Sequence, residues 1–214
     1  MKYYEKIETV YQRDMEGTKA LMTGVWRSPT VEFLKDLDWE WTEKVDGTNI
    51  RVIWDGYTVS YGGRTERANI PADLVNRLNE IFGTEEAAQV FEQTFGGHQV
   101  ILFGEGYGRK IQSCGSRYIP DGVDFILFDL LIGDNYQSRE DVCRCARSFG
   151  IKSVPIVGHG TLEEAIEFVK SHPDSTIGDL PMEGVVCRPK VELRDRCGNR
   201  LIVKVKYKDF REVG

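Results

Sequence analysis

No apolar run in the 214 residues approaches the ~20 that a membrane-spanning helix needs. The opening residues Met1-Lys2-Tyr3-Tyr4-Glu5 carry no apolar core of an export signal. Cysteine is sparse and odd in number: five residues, scattered along the chain, argue against a disulfide framework and for a reducing cytoplasm. Histidine is scarcer still. His98, His159 and His172 are dispersed, which suggests neither a catalytic triad nor a metal cluster. Cys143-x-Cys145 lies inside an expected helix, and Cys187 and Cys197 have no histidine at zinc-finger spacing. Repeats, low-complexity tracts and evident linkers are also missing. The length suits one domain, 1–214, with enough chain to bury a core.

Hydrophobic content of 41% and charged content of 29% are those of a soluble globular protein. The net charge of -6 is unevenly spread: from Arg188 to Arg211 there are nine Lys or Arg against three acids. A basic strip on an acidic body suits an anionic ligand, because binding follows the local field rather than the total. A solvated strand face accounts for the outer residues of the strip equally well.

Residues 1–41 read as an opening strand or extended segment followed by a short helical turn around Val31–Leu37. Thr48–Trp54 alternates polar and apolar positions as a strand does, Asp55-Gly56 signals a hairpin turn, and Tyr57–Tyr61 returns as its partner. Helices are expected over Pro71–Phe82, Glu85–Phe95, Ser138–Phe149 and Thr161–Lys170. The last has Thr161 and Glu164 spaced as a capping box. Strands are expected at Gln99–Phe103, Asp124–Ile132, Val154–Val157, Glu183–Arg188 and Leu201–Tyr207. Hairpins mixed with irregularly placed helices imply an α+β fold with antiparallel sheets rather than a doubly wound one. Gly104-x-Gly106-x-Gly108 lacks both the full spacing and the following helix of a dinucleotide-binding loop.

The chemistry gathers around Thr42-Glu43-Lys44-Val45-Asp46-Gly47-Thr48-Asn49. A lysine at a strand edge can act as a nucleophile once desolvation and neighbouring cations make it neutral; at its ordinary value of about 10.4 it is protonated and inert. Further along lie Arg64 in Gly62-Gly63-Arg64-Thr65, Glu105 in Phe103-Gly104-Glu105-Gly106, and Phe128-Asp129 in an apolar run. Glu183-Gly184-Val185-Val186 and Lys204-Val205-Lys206 complete the set. Alternation with Val203 and Val205 puts Lys204 and Lys206 on one face of a strand, where two like charges call for an anion.

This ordered set, running from about Lys44 to Lys206, resembles the covalent nucleotidyltransferase superfamily of ATP-dependent ligases and RNA-capping enzymes. DNA ligases and capping enzymes usually carry Arg two residues after the glycine of K-x-D-G; here Asn49 stands there, as in the RNA ligase 2 group. The resemblance implies two antiparallel sheets with flanking helices and ATP as the nucleotide. Lys44 is then the residue that takes AMP, with Lys204 and Lys206 on the phosphates. Glu43, Asn49, Arg64, Glu105 and Phe128 hold the nucleotide, Phe128 by stacking on the purine. Glu183 places Mg²⁺, or Mn²⁺ in its stead, through water. The implied substrate is RNA with 5′-phosphate and 3′-hydroxyl ends, in the cytoplasm. Other readings are an ATP-dependent DNA ligase or capping enzyme, an adenylyltransferase domain without efficient sealing, and a non-catalytic nucleotide-binding module. Family members usually carry a further C-terminal nucleic-acid domain, whereas this sequence ends eight residues after Lys206, so weaker binding of nicked duplex is expected.

Overall fold

A computed structural model of the chain describes residues 2–210; Arg211, the last member of the basic strip, lies outside the described residues. The chain divides into two compact units, one from Met1–Tyr4 and Asp46–Val154, the other from Glu5–Val45 and Pro155–Gly214.

In the first unit, the strand Thr48–Trp54 lies between Val59–Gly63 and Val100–Gly108, followed outward by Val123–Ile132 and the short parallel strand Lys152–Ser153. Asn135–Tyr136 folds back on Val123–Ile132. Ile50, Val52 and Trp54 enter a core roofed by the helices Ala72–Phe82, Glu85–Phe95 and Arg139–Ser148. Trp54 stacks on Phe91 with ring centroids 5.1 Å apart. Each such fully buried side chain contributes roughly 1.5–3 kcal/mol over leaving it exposed. The helix starts follow the sequence: Thr84 and Ser138 accept hydrogen bonds from the backbone N–H groups of Ala87 and Asp141.

Besides shifts of one or two residues at element ends, three stretches differ from the sequence reading. The expected strand Gln99–Phe103 runs on as Val100–Gly108, so the glycine run is strand and not loop. These glycines serve close approach: a Cβ on Gly104 would fall 2.2 Å from the Phe125 ring, and one on Gly106 2.3 Å from Leu74. The hairpin partner starts at Val59 rather than Tyr57, because Asp55 accepts from the N–H groups of both Tyr57 and Thr58 and lengthens the turn. The expected strand Val154–Val157 splits at Pro155, which has no N–H to offer a ladder, into Lys152–Ser153 and Ile156–Gly160 in different sheets.

The second unit holds a five-stranded sheet in the order Glu8–Thr9, Val203–Lys206, Gly184–Pro189, Trp39–Glu43, Ile156–Gly160. The Glu8–Thr9 pairing is parallel and the rest are antiparallel. Trp39, Trp41, Val185, Cys187, Val203 and Val205 bury one face against the helix Leu162–Lys170, whose capping box of Thr161 and Glu164 forms as expected. The expected helical turn forms as the helix Pro29–Leu34, and the opening segment holds more than one strand: a hairpin of Tyr11–Arg13 with Leu21–Trp26, and Trp39–Glu43 as a strand buried at every position. Among the described residues no helix is long and apolar enough to cross a membrane.

Candidate active site

Alternation on the second unit's sheet sorts its residues by face. Val203 and Val205 enter the core, so Lys204 and Lys206 occupy the other side. Gly184 pairs with Lys206 and Val186 with Lys204 across the antiparallel ladder. Lys44 follows the last residue of Trp39–Glu43, and its N–H donates to the Gly184 carbonyl (2.9 Å). Glu183, the residue before that strand, accepts at its carbonyl from the Tyr207 N–H (2.9 Å). These backbone ties place the side chains. Lys44 Nζ lies 2.7 Å from Glu183 Oε2, and Lys206 Nζ lies 2.7 Å from Glu183 Oε1.

One carboxylate thus bridges two ammonium groups, with a third amine on the same strand face. Burial pushes the Glu183 carboxyl up, but the charge of Lys44 and the hydrogen bonds from Lys206 and Lys44 outweigh it and hold it below the usual glutamate range. Burial pulls Lys206 down, and its bond to Glu183 more than compensates, leaving it raised. Lys204 has no such relief. Burial first, then the charges of Lys206, Lys44 and Lys6, bring it down to about 8, against a smaller opposing pull from Glu8. The cluster is positively charged beyond what its own acid neutralises, which is the electrostatic description of an anion site.

Glu43 is 2% exposed, and its carboxylate is already engaged. Ser175 Oγ donates to Oε1, while the N–H (2.9 Å) and hydroxyl (2.6 Å) of Thr176 donate to Oε2. Ser175 and Thr176 escaped the sequence reading. Pro173-Asp174-Ser175-Thr176 has the composition of a turn, but nothing local names a partner 132 residues away.

In the first unit, Asn49 pairs directly with Glu105 across the strands, so both side chains share one face of that sheet. The Oδ1 of Asn49 is buried with no hydrogen-bond partner among the described residues. Arg64 is exposed, one position beyond Gly63, the partner of Ile50, and so lies level with Asn49 in the ladder. Phe128 sits at a β-bulge where Phe103 pairs with Asp129 but Gly104 with Leu127, leaving the ring outside the pairing and half-buried. Its edge meets Tyr4 with centroids 4.9 Å apart. Tyr4 OH donates to Oδ2 of the fully buried Asp129 (2.8 Å). Tyr4→Phe keeps the ring and removes this donor, and is expected to lower unfolding free energy by about 1–2 kcal/mol in denaturant titration. Gly47, after the lysine, cannot be another residue, since a Cβ would stand 2.2 Å from the Gly106 carbonyl oxygen. Gln112 Nε2 donates to the Gly47 carbonyl (2.9 Å), and the Asp46 N–H donates to Tyr118 OH (3.2 Å). Neither contact has a sequence signal.

The mixed architecture of sheets and flanking helices that carries this lysine cluster matches an RNA ligase nucleotidyltransferase-like fold. The sequence profile of the RNA ligase family matches residues 37–206, and the chain belongs to that family. Among solved structures, the Naegleria gruberi RNA ligase with PPi superposes with a TM-score of 0.63 at 21% identity, covering 98% of this chain and 63% of that one. A substituted form of the same ligase with ATP and Mn gives 0.64 at 19%, covering 98% and 62%. A substituted apo form gives 0.64 at 21%, covering 85% and 53%. The chain therefore spans about half to two thirds of the length of these structures, and the likeness is one of fold. No curated protein matches it in sequence.

Proposed function

We propose that the chain is an ATP-dependent RNA ligase acting through a lysyl-AMP intermediate on Lys44. The observation that carries this is the cluster in which Lys44 and Lys206 share Glu183 at 2.7 Å beside the half-buried Lys204. In the first step, Lys44 gives up a proton and its Nζ attacks the α-phosphorus of ATP. A P–N bond forms, the α–β P–O bond breaks, and pyrophosphate leaves. AMP then passes to an RNA 5′-phosphate with release of Lys44. A 3′-hydroxyl attacks that activated phosphate, the strand joins, and AMP departs. Lys204 and Lys206 supply fixed positive charge where phosphate charge develops. Asn49, Arg64, Glu105 and Phe128 form the nucleoside side of the reading, with Phe128 on the purine.

Among the described residues no group of three or more His, Cys, Asp or Glu could hold a metal. Glu183, whose two oxygens already accept from Lys44 and Lys206, would place Mg²⁺, or Mn²⁺ in its stead, through the ion's own waters, several of which Mg²⁺ keeps. Such an ion would disperse charge on the phosphates. The reading treats the chain as one adenylyltransferase domain working in the cytoplasm on broken or nicked RNA.

Incubation with α-labelled ATP, GTP or NAD, then denaturation, tests the proposal. Label retained with ATP alone supports it; label from GTP or NAD points to the capping or DNA-ligase reading. No label from any nucleotide overturns it in favour of a binding module. A second reading is an adenylyltransferase that seals poorly. Adduct formation without joining of a nicked duplex RNA would select it.

A further inference from the structure

Between the helix Leu162–Lys170 and Glu183 the chain forms a loop with no regular structure beyond one isolated bridge, Asp174 to Pro181. Two anchors hold it. At its start, His172 takes a left-handed backbone conformation (φ 54) and its ring stacks on Tyr207 at 3.6 Å, with 6° between the planes. Three residues on, Ser175 and Thr176 deliver three donors to the buried carboxylate of Glu43. The loop closes on itself through Ser175 N–H to Leu180 O (2.8 Å) and Met182 N–H to Pro173 O (2.8 Å), and then emits Glu183.

Each anchor is the chain neighbour of a lysine of the cluster. Glu43 precedes Lys44, and Tyr207 follows Lys206. The loop's last product is the carboxylate that both lysines share. We infer that the Ser175–Thr176 turn, through Glu43, is a positioning element that sets the Lys44–Glu183–Lys206 spacing, and that Glu43 acts on this turn rather than on nucleotide. The chemistry favours this assignment. A buried carboxylate must be satisfied, and one whose oxygens are filled by hydroxyl and backbone donors has little capacity left for a ligand. Such a tie is also directional. Losing the Thr176 hydroxyl frees an acceptor on a buried charge, and the turn shifts to recover a partner. A shift there is carried along the loop to Glu183, and an error of about 1 Å between a nucleophile and its surroundings costs on the order of 10²-fold in rate.

The inference rests on the ligase reading for its kinetic arm and stands apart from it for its chemical arm. Thr176→Val removes the hydroxyl while keeping the shape and the backbone N–H; Thr176→Ser restores the donor. In single-turnover adduct formation with ATP, Thr176→Val is expected to fall ~10- to 100-fold in rate with the ATP KM within about twofold, and Thr176→Ser to recover most of the loss. A merely structural role would lower the folded fraction and leave the rate per folded molecule unchanged, which overturns the inference. The second arm needs no turnover. Reductive methylation of Lys44 by formaldehyde and cyanoborohydride, read by peptide mass spectrometry, is expected to quicken severalfold in Thr176→Val and not in Thr176→Ser. Unchanged methylation across both variants overturns the inference even where adduct formation is robust. Altered methylation in a chain that forms no adduct supports the tie and overturns the ligase reading instead.

Discussion

Lys44→Ala is expected to abolish retention of labelled AMP on the denatured protein while leaving ATP binding within a few-fold of the unsubstituted chain. The first half follows from bond chemistry: no other amine in the cluster can replace the reacting atom. Lys206 Nζ is fixed to the far oxygen of Glu183, and among the described residues no hydrogen bond or ion pair aims Lys204. The second half follows from charge, since alanine removes one of three cations and leaves Lys204 and Lys206 to hold phosphate. Lys44→Arg separates the two contributions. Arginine keeps the positive charge and a bond to Glu183, but it does not lose its proton in proteins, so nucleophilicity vanishes while the field stays. Adduct retained by either variant, located by mass spectrometry on another residue, would dismiss Lys44 as the nucleophile. Loss of ATP binding in Lys44→Arg would instead mean that the site had collapsed, and the cluster would then be a structural element.

Much of this was legible in the sequence for identifiable reasons. The Lys204-Val205-Lys206 alternation names a strand with amines on one face, because the side-chain period of a strand is two and valine wants burial. Thr161 and Glu164 announce a helix start because the cap is local. What stayed hidden depends on distance. The glycines at 104, 106 and 108 look like a loop until Leu74 and the Phe125 ring are seen pressing on two of them. Phe128 is singled out by the resemblance alone; the bulge that takes it out of the ladder has no signal in the apolar run. Ser175 and Thr176 show only turn composition, because their partner Glu43 is supplied by a strand more than a hundred residues earlier. The Tyr11–Arg13 and Leu21–Trp26 hairpin lacks the clean alternation that marks Thr48–Trp54, since most of Leu21–Trp26 is exposed.

Lys204→Met is expected to move stability and activity in opposite directions, which few substitutions at a structural lysine do. Lys204 sits at about 8 in the folded chain against an ordinary 10.5, lowered by burial and by Lys206, Lys44 and Lys6. Its folded value lies below its unfolded one, so between roughly pH 8 and 10.5 the unfolded chain binds more protons. Stability therefore rises with pH across that window, and below pH 8 the charged lysine opposes folding by its full amount. Discounted for the part of the side chain that water still screens, that opposition is on the order of 1–2 kcal/mol at neutral pH. Methionine keeps the aliphatic reach and drops the charge, so the nucleotide-free variant should melt several degrees higher at pH 7 and show a flatter rise in stability between pH 8 and 10. The same change removes a fixed cation from the developing phosphate charge and should slow adduct formation by ~10²- to 10³-fold. ATP should then raise the melting temperature of the unsubstituted chain more than that of the variant, because only the former gains by neutralising Lys204. A variant that is less stable and equally active would show that Lys204 is an ordinary strand-face lysine and that the charge of this cluster is not held in readiness for phosphate.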